Sequence, residues 1–270
     1  MAFRDELQKE KKKLSRLSFG EKLQYIFDYY KFWILGVVVL VGLVWSVGST
    51  ILHNKPTGFY AMLLNAGGQD LSGQADEAAG AAFAEAAGLD DEKQKILVDT
   101  SATFNPNDQS QFSMAQNAKI AALYQSHEID VMVADPGVFT YYALSGSFVD
   151  LRDVLDDETL AVYETAGQVY YIDQHVQELL DQTDYGDLEE MSAFAANLMG
   201  LATVQPREDF VMPDPAKMQK PIPVGIVLTD APWLAENALY QKTTPIFGFA
   251  VKSERQDAAK SFLQFLEAKS

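Results

Sequence analysis

One apolar run constrains this chain more than any other feature. Residues 32–52 read FWILGVVVLVGLVWSVGSTIL and contain no ionisable side chain. About 20 apolar residues are enough for a helix to cross the roughly 30 Å hydrocarbon core of a bilayer, and small residues such as Gly36 and Gly42 are common in such helices. The sequence therefore predicts a transmembrane helix from Phe32 to Leu52, with the lipid bilayer as its partner.

The charges on either side of the run predict its orientation. Residues 1–31 carry eight basic and five acidic side chains, whereas the remaining residues carry 13 of the 21 basic and 33 of the 38 acidic side chains. Basic flanks stay in the cytoplasm. We therefore expect a single-pass protein of the cell membrane, with a cytoplasmic N-terminus and an extracytoplasmic domain over residues 53–270.

Cleavage of the apolar run as a secretory signal is the alternative, because Ser46-Val47-Gly48 offers a small-x-small site. The 31 residues before the run exceed the length of most such leaders, which favours an uncleaved anchor. Within this leader, Ser18 and Glu21 have the spacing of a capping box. Apolar residues then recur at helical spacing from Leu23. Residues 1–31 are thus predicted to form a cytoplasmic amphipathic helical leader.

Composition narrows the class of the extracytoplasmic domain. The chain has no cysteine, which excludes disulfides, zinc–thiolate sites and attachment through a lipidated cysteine. The acidic excess argues against nucleic acid as a partner, because phosphates require a basic surface. We therefore expect a domain that depends on its apolar core alone.

Strand-like and helix-like patterns alternate through this domain. Short apolar runs predict strands at 59–64, 95–99 and 129–134, and helical patterns follow them at 75–87, 112–124 and 138–144. Further on, helices are predicted at 150–163, 176–182, 191–201, 232–238 and 255–268, and strands at 169–173, 224–228 and 246–251. Strands separated by helices imply parallel pairing with right-handed crossovers. The predicted fold class is α/β, with a mainly parallel sheet covered by helices on both faces.

Two segments resemble bacterial extracellular solute-binding proteins of the type II periplasmic-binding-protein class. The first is AALYQSHEIDVMVADPGVFTYYALSGSFVDL, from Ala121 to Leu151, with a strand written D-V-M-V-A-D between two helices. The second is GFAVKS at 248–253, followed by the helical pattern at 257–266. The resemblance implies a periplasmic-binding-protein-like domain, a small-molecule solute and a link to an ABC importer.

The chain also departs from that family. Its members have two lobes of similar size around a cleft and are commonly held by a lipidated cysteine, whereas this chain has a predicted membrane helix. Residues 151–221 are short for a second lobe and are predicted to be a reduced lobe or an insertion. The leading hypothesis is a tethered, non-catalytic solute-binding-like protein, and the alternative is a ligand-free interaction or scaffold component of a membrane or envelope complex. A third, an exported hydrolase, would need a compact catalytic triad or carboxylate pair in the fold.

If a ligand binds, its contacts should follow the strands. Ligands of open α/β sheets lie beyond the carboxyl ends of the strands, where helix N-termini also attract anions. The candidate ligand-binding residues of the first half are Asn65, Gly67, Gly68, Thr100, Ser101, Asp135 and Gly137. Those of the second half are Tyr171, Asp173, Thr229, Asp230 and Trp233. Each has a structural alternative: a glycine turn, a helix cap for Asp135, and core packing for Trp233.

Enzyme motifs are absent from the sequence. The three histidines lack the i, i+4 spacing of a helical metal pair, and no phosphate-binding G-x-x-x-x-G-K occurs. Ser145 lacks the first glycine of a nucleophile elbow, and neither acidic cluster, at 90–92 and 156–158, has the glycine-containing calcium loop. The sequence predicts a protein that is not an enzyme and has no catalytic residue, metal or cofactor.

Overall fold

The computed structural model describes residues 32–33, 35–45, 55–67, 74–182 and 203–268, with the backbone alone for 74–76 and 179–182. The chain divides into two compact units, Met1–Lys55 and Pro56–Ser270. Five predictions lie wholly or partly outside the described residues: the leader at 1–31, the end of the apolar run, Gly68, the helix at 191–201 and the reduced lobe or insertion at 151–221.

In the first unit, residues 32–33 and 35–45 are helical. Their large apolar side chains are exposed all round the helix, from 54% for Val39 to 78% for Trp45. Among the described residues, no helix combines the length and the apolar character needed to cross a membrane.

The second unit contains a six-stranded sheet and eight described α-helices. The strands are β1 (Thr57–Leu63), β2 (Lys95–Asp99), β3 (Val131–Ala134), β4 (Val169–Asp173), β5 (Pro221–Val227) and β6 (Ile246–Phe249). The helices are α1 (Gln74–Ala87), α2 (Gln111–Gln125), α3 (Pro136–Leu144), α4 (Leu151–Val154), α5 (Asp157–Thr165), α6 (Gln174–Gln182), α7 (Pro232–Glu236) and α8 (Gln256–Glu267). Two short 3₁₀ turns, Arg207–Asp209 and Pro215–Lys217, lie between α6 and β5.

The strand order is β2-β1-β3-β6-β5-β4. Strands β2, β1 and β3 pair in parallel, whereas β6 is antiparallel to both β3 and β5, and β4 is antiparallel to β5. Strands β1, β2, β3 and β5 consequently point one way, and β4 and β6 point the other way. The α/β class and the six strands are confirmed, but the parallel neighbours expected from the crossovers occur only in the first half of the sheet.

The segment 151–221 joins this same sheet. Its described part contributes α4, α5, β4 and α6, and β5 starts at Pro221. The single helix predicted at 150–163 is two helices, because the backbone of Leu155 is extended and Asp156 caps a new helix by accepting from the Thr159 N–H.

Apolar clusters cover both faces of the sheet. Alternate residues of a strand point to opposite faces, so Phe59, Ala61 and Leu63 belong to one cluster and Tyr60, Met62 and Leu64 to the other. Helices α1, α5 and α8 contribute to the first cluster, and helices α2 and α3 to the second. The predicted coverage of both faces is confirmed.

Gly80 lets α1 lie directly on the outer strand β2. A Cβ atom at this position would lie 2.2 Å from the carbonyl oxygen of Ile96, a separation that no real contact reaches. Glycine costs about 1 kcal/mol relative to alanine inside a helix, and here it permits the helix to cover the outer strand of the sheet.

A buried ion pair joins the start of β3 to the turn before α8. The Asp130 side chain has no exposure, and the Arg255 Nε donates to both of its carboxylate oxygens at 2.9 Å. The Ser253 hydroxyl and the Tyr60 N–H also donate to this carboxylate. Burial raises the pKa of Asp130, and these hydrogen bonds oppose that rise. The other Arg255 nitrogens donate to the carbonyls of Thr57, His127 and Glu128.

Replacing Arg255 by methionine should lower the free energy of unfolding by about 3–5 kcal/mol, because it leaves a buried carboxylate without its cation. Urea unfolding of the full chain in detergent, followed by circular dichroism, measures the change. Arg152→Met is the matched control, because Arg152 pairs with Asp150 at the surface and exposed pairs contribute at most about 1 kcal/mol. Equal losses of unfolding free energy in the two variants would contradict the claim that the buried Asp130 carboxylate depends on its pairing with Arg255.

Candidate functional site

The strands that point the same way end at one edge of the sheet. We call it the carboxyl edge; it comprises residues 64–67, 100–104, 135–137 and 228–230, which follow β1, β2, β3 and β5. In open α/β sheets this is where ligands bind. Eight of the twelve predicted ligand residues lie in these segments. Trp233 lies in α7, the helix that follows them, and Gly68 lies outside the described residues.

Tyr171 and Asp173 do not belong to the carboxyl edge. Strand β4 is antiparallel to β5, so Asp173 pairs with Pro221, the first residue of β5. Its carboxylate accepts from the backbone N–H groups of Gln219 and Lys220 at 2.8 and 2.9 Å. Asp173 therefore lies at the opposite edge of the sheet, and the expectation that the two residues join the others is wrong.

Asn65 braces the loop after β2. Its side-chain amide donates to the Phe104 carbonyl, and its side-chain oxygen accepts from the Phe104 N–H, both at 3.0 Å. Its backbone N–H donates to the Ala102 carbonyl, and its φ of 54° lies in the left-handed region that asparagine tolerates. Gly67 follows with a φ of 69°. The Asn65 side chain therefore already uses both of its polar atoms in hydrogen bonds within the protein.

Asp135 is the most buried polar group of the carboxyl edge, with 1% exposure. One carboxylate oxygen accepts from the N–H groups of Gly137, Val138 and Gln205. It thereby caps α3 and holds residues 203–220, the described segment before β5, which we call the connector. The other oxygen, Oδ2, is buried and has no hydrogen-bond partner. Burial raises the pKa of Asp135 above its ordinary value, and the three N–H groups oppose that rise.

Tyr240 completes the surroundings of Asp135. Its hydroxyl lies 3.0 Å from the Leu64 carbonyl and 2.8 Å from the Val133 carbonyl, and its N–H donates to the Ala66 carbonyl. Burial, and secondly the charge of Asp135, raise the pKa of Tyr240 well above 10.0. The backbone of Tyr240 has a φ of 51°. No motif in the sequence marks this residue, and sequence reasoning missed it.

Arg207 ties the connector to the same region. Its guanidinium donates to the Tyr240 carbonyl at 2.9 Å and to the Thr243 carbonyl at 2.9 and 3.2 Å. Its N–H donates to the Lys242 carbonyl. Arg207 thus holds the connector at the carboxyl edge. Nothing in the proline-rich sequence around Arg207 predicts this role.

The end of β2 carries a second polar cluster, around Asp99. Its carboxylate accepts from the Ser101 N–H and hydroxyl and from the Tyr60 hydroxyl, and it pairs with Lys119 at 3.3 Å. Burial acts to raise the pKa of Asp99, but these donors outweigh it and the pKa is lowered. Ser101 therefore stabilises the Asp99 carboxylate by two hydrogen bonds. The neighbouring Thr100 is buried.

The candidates after β5 have structural partners or face solvent. The Thr229 hydroxyl accepts from the Gln168 side-chain amide at 2.7 Å, and Asp230 is exposed. The Trp233 ring packs on Phe265, with 5.5 Å between the ring centroids. Core packing is therefore the role that the structure gives Trp233.

Within the described residues, no group of three or more histidines, cysteines or carboxylates is placed to hold a metal ion. The buried Asp135 Oδ2 atom has no hydrogen-bond partner, so it is an acceptor without a donor or, when protonated, a donor without an acceptor. Comparison with protein families, with curated proteins and with solved structures gives no match for this chain.

The buried Asp135 makes a pH-dependent prediction. Its pKa is raised above the ordinary 3.8, so the folded chain binds the proton more tightly than the unfolded chain. The free energy of unfolding therefore falls as the pH rises through the raised pKa. An asparagine side chain cannot titrate, so the stability of the Asp135→Asn variant relative to the wild type should improve as the pH rises above about 4.

Denaturant unfolding of the full chain at several pH values provides the measurement. The matched control is Asp156→Asn, because Asp156 is an exposed helix cap whose pKa is lowered by hydrogen bonds from Thr159. That variant should lose stability relative to the wild type as the pH rises. A pH-independent difference for Asp135→Asn would refute the raised pKa.

Proposed function

We propose that this chain is a membrane-tethered extracytoplasmic interaction module, a non-catalytic scaffold component of a membrane or envelope complex, built on a periplasmic-binding-protein-like domain. One observation carries the proposal: polar side chains in the positions of ligand contacts are used to hold the protein's own backbone. Asn65 holds the 100–104 loop and Asp135 holds the connector at Gln205. A site that binds solutes keeps convergent polar groups available to the ligand.

The tether is part of the same proposal. Its support is the 21-residue run without ionisable side chains, the basic leader before it and the exposed large apolar side chains within 32–33 and 35–45. In this reading the N-terminus is cytoplasmic and the domain is extracytoplasmic. A helix that fixes the domain in the bilayer suits a resident component of a complex.

Solute capture is the second candidate function, and one atom favours it. The buried Asp135 Oδ2 has no partner, and such an atom costs free energy that a ligand donor would recover. An ammonium or amide group of a small solute has the right chemistry. A link to an ABC importer belongs to this second candidate.

Ligand screening of the full chain in nanodiscs separates the two candidates. A ligand at 100 times its Kd adds about 2.7 kcal/mol, which raises the melting temperature of a domain of this size by about 5–10 °C. We expect no such shift from sugars, amino acids or short peptides. We also expect amine-reactive crosslinking in intact membranes to yield one discrete adduct of the chain.

A saturable thermal shift would overturn the interaction proposal if it disappears in Asp135→Asn and persists in Asp156→Asn. That pattern would assign capture to the Asp135 region. Absence of both the shift and any crosslinked adduct would contradict the interaction proposal as well.

A further inference from the structure

The connector has almost no regular secondary structure. Over residues 203–220 the chain forms only the two 3₁₀ turns, Arg207–Asp209 and Pro215–Lys217. Loops longer than about 12–15 residues without secondary structure of their own are uncommon in compact domains, and many of them are functional lids. The contacts that attach the connector to the domain therefore decide whether it can move.

Side chains hold the first end of the connector. The Gln205 N–H donates to the Asp135 carboxylate at 3.2 Å. Arg207 donates to three backbone carbonyls within residues 240–243, to two of them from its guanidinium and to the third from its N–H. Arg207 thus makes most of the hydrogen bonds at this end, and its loss would leave little more than the bond to Asp135.

The second end runs directly into the sheet. The N–H groups of Gln219 and Lys220 donate to the Asp173 carboxylate, and the Lys220 carbonyl accepts from the Gln174 N–H. Pro221 then begins β5, which pairs with β4. This end cannot leave the sheet while β5 stays paired. The second end is therefore a fixed point, and the first end is the one that can detach.

Two apolar side chains hold the middle of the connector. Phe210 and Met212 are partly buried against the second apolar cluster, whereas Val211 between them is 80% exposed. Such alternation is that of an extended segment with one face toward the protein. Among the described residues, every hydrogen bond made by 208–218 has its partner within the connector itself. The middle therefore has no hydrogen bond to the sheet and can lift away without breaking one.

The first end also covers a buried atom that lacks a partner. The Asp135 carboxylate accepts the Gln205 N–H on one oxygen, while its Oδ2 atom is buried and has no hydrogen-bond partner. A buried acceptor without a donor destabilises the conformation that buries it. Detachment of the first end gives water access to this carboxylate, which lowers the free energy needed for opening.

We propose that the connector is a strap that detaches at its Asp135–Arg207 end and turns about its β5 end while the rest of the domain stays folded. Arg207 is the latch of this strap. Opening lifts Phe210 and Met212 from the second cluster and uncovers apolar surface, of the kind that marks interaction sites when it is exposed. The inference concerns a motion of the domain itself and does not depend on the proposed function.

Cysteine labelling tests the strap, because the natural chain contains no cysteine. Met212→Cys and Val211→Cys, made separately in the full-length chain in nanodiscs, report the inner and outer faces of the connector. We expect a maleimide to label Val211→Cys about ten times faster than Met212→Cys, because a covered side chain reacts only after local opening. Adding Arg207→Met should bring the two rates within about twofold of each other, because the strap then stays open.

Two further variants are the controls. Lys217→Met is matched to the latch variant, because Lys217 is an exposed basic residue of the connector whose ion pair is with Asp214 of the same segment. It should leave the difference between the two labelling rates unchanged. Ala84→Cys reports on folding, because Ala84 is buried in the first cluster, on α1. It should stay protected from the maleimide when Arg207→Met is added.

The outcomes decide the inference. Equal labelling of Met212→Cys and Val211→Cys in the presence of Arg207→Met, with Ala84→Cys still protected, supports the strap. A rate difference that Arg207→Met leaves unchanged overturns it, and so does an equal effect of Lys217→Met. Loss of protection at Ala84→Cys together with Met212→Cys also overturns it, because the connector then opens only when the whole domain unfolds.

Discussion

The ion pair between Asp130 and Arg255 is the contact on which the order of the sheet depends. Arg255 follows β6 and precedes α8, and it donates to the carbonyl of Thr57 at the start of β1 as well as to Asp130 at the start of β3. A buried charge is tolerated only when it is paired and hydrogen-bonded, so these segments must meet for the carboxylate to be satisfied. The Ala250 N–H donates to the Asp130 carbonyl, which helps to fix β6 beside β3. Strand β6, the antiparallel strand in the middle of the sheet, is thereby tied to β1, which begins the sequence of the domain.

The two aspartates that flank β3 differ in how fully their buried carboxylates are hydrogen-bonded. Asp130 precedes the strand, and its two oxygens accept from an arginine, a hydroxyl and a backbone N–H. Asp135 follows the strand and has three backbone donors on one oxygen and no partner on the other. A buried acceptor without a donor costs about 1–3 kcal/mol. That cost is the physical reason for treating the Asp135 region, rather than the better-satisfied Asp130 region, as the candidate site.

Local sequence pattern predicts the elements of this domain well and their arrangement poorly. The strands at 59–64, 95–99 and 169–173 follow from short apolar runs, and the cap at Asp135 follows from its position before Pro136 and Gly137. The direction of β4 does not follow, because it depends on pairing with β5, which begins far along the chain at Pro221. Sequence pattern alone therefore puts Asp173 at the wrong edge. Tyr240 escapes notice because its role depends on contacts with Leu64 and Val133, which are distant in sequence.

For the same reason, sequence pattern does not predict which apolar residues of α2 are exposed in the folded chain. In sequence, Phe112, Ala115, Ala118 and Tyr124 fit one helical pattern. In the structure, Ile120 faces the core, while Phe112 and the alanines lie outside it. Burying an apolar side chain as large as phenylalanine or methionine is worth about 1.5–3 kcal/mol. Folding does not gain this free energy from Phe112 or Met114, because both side chains stay exposed.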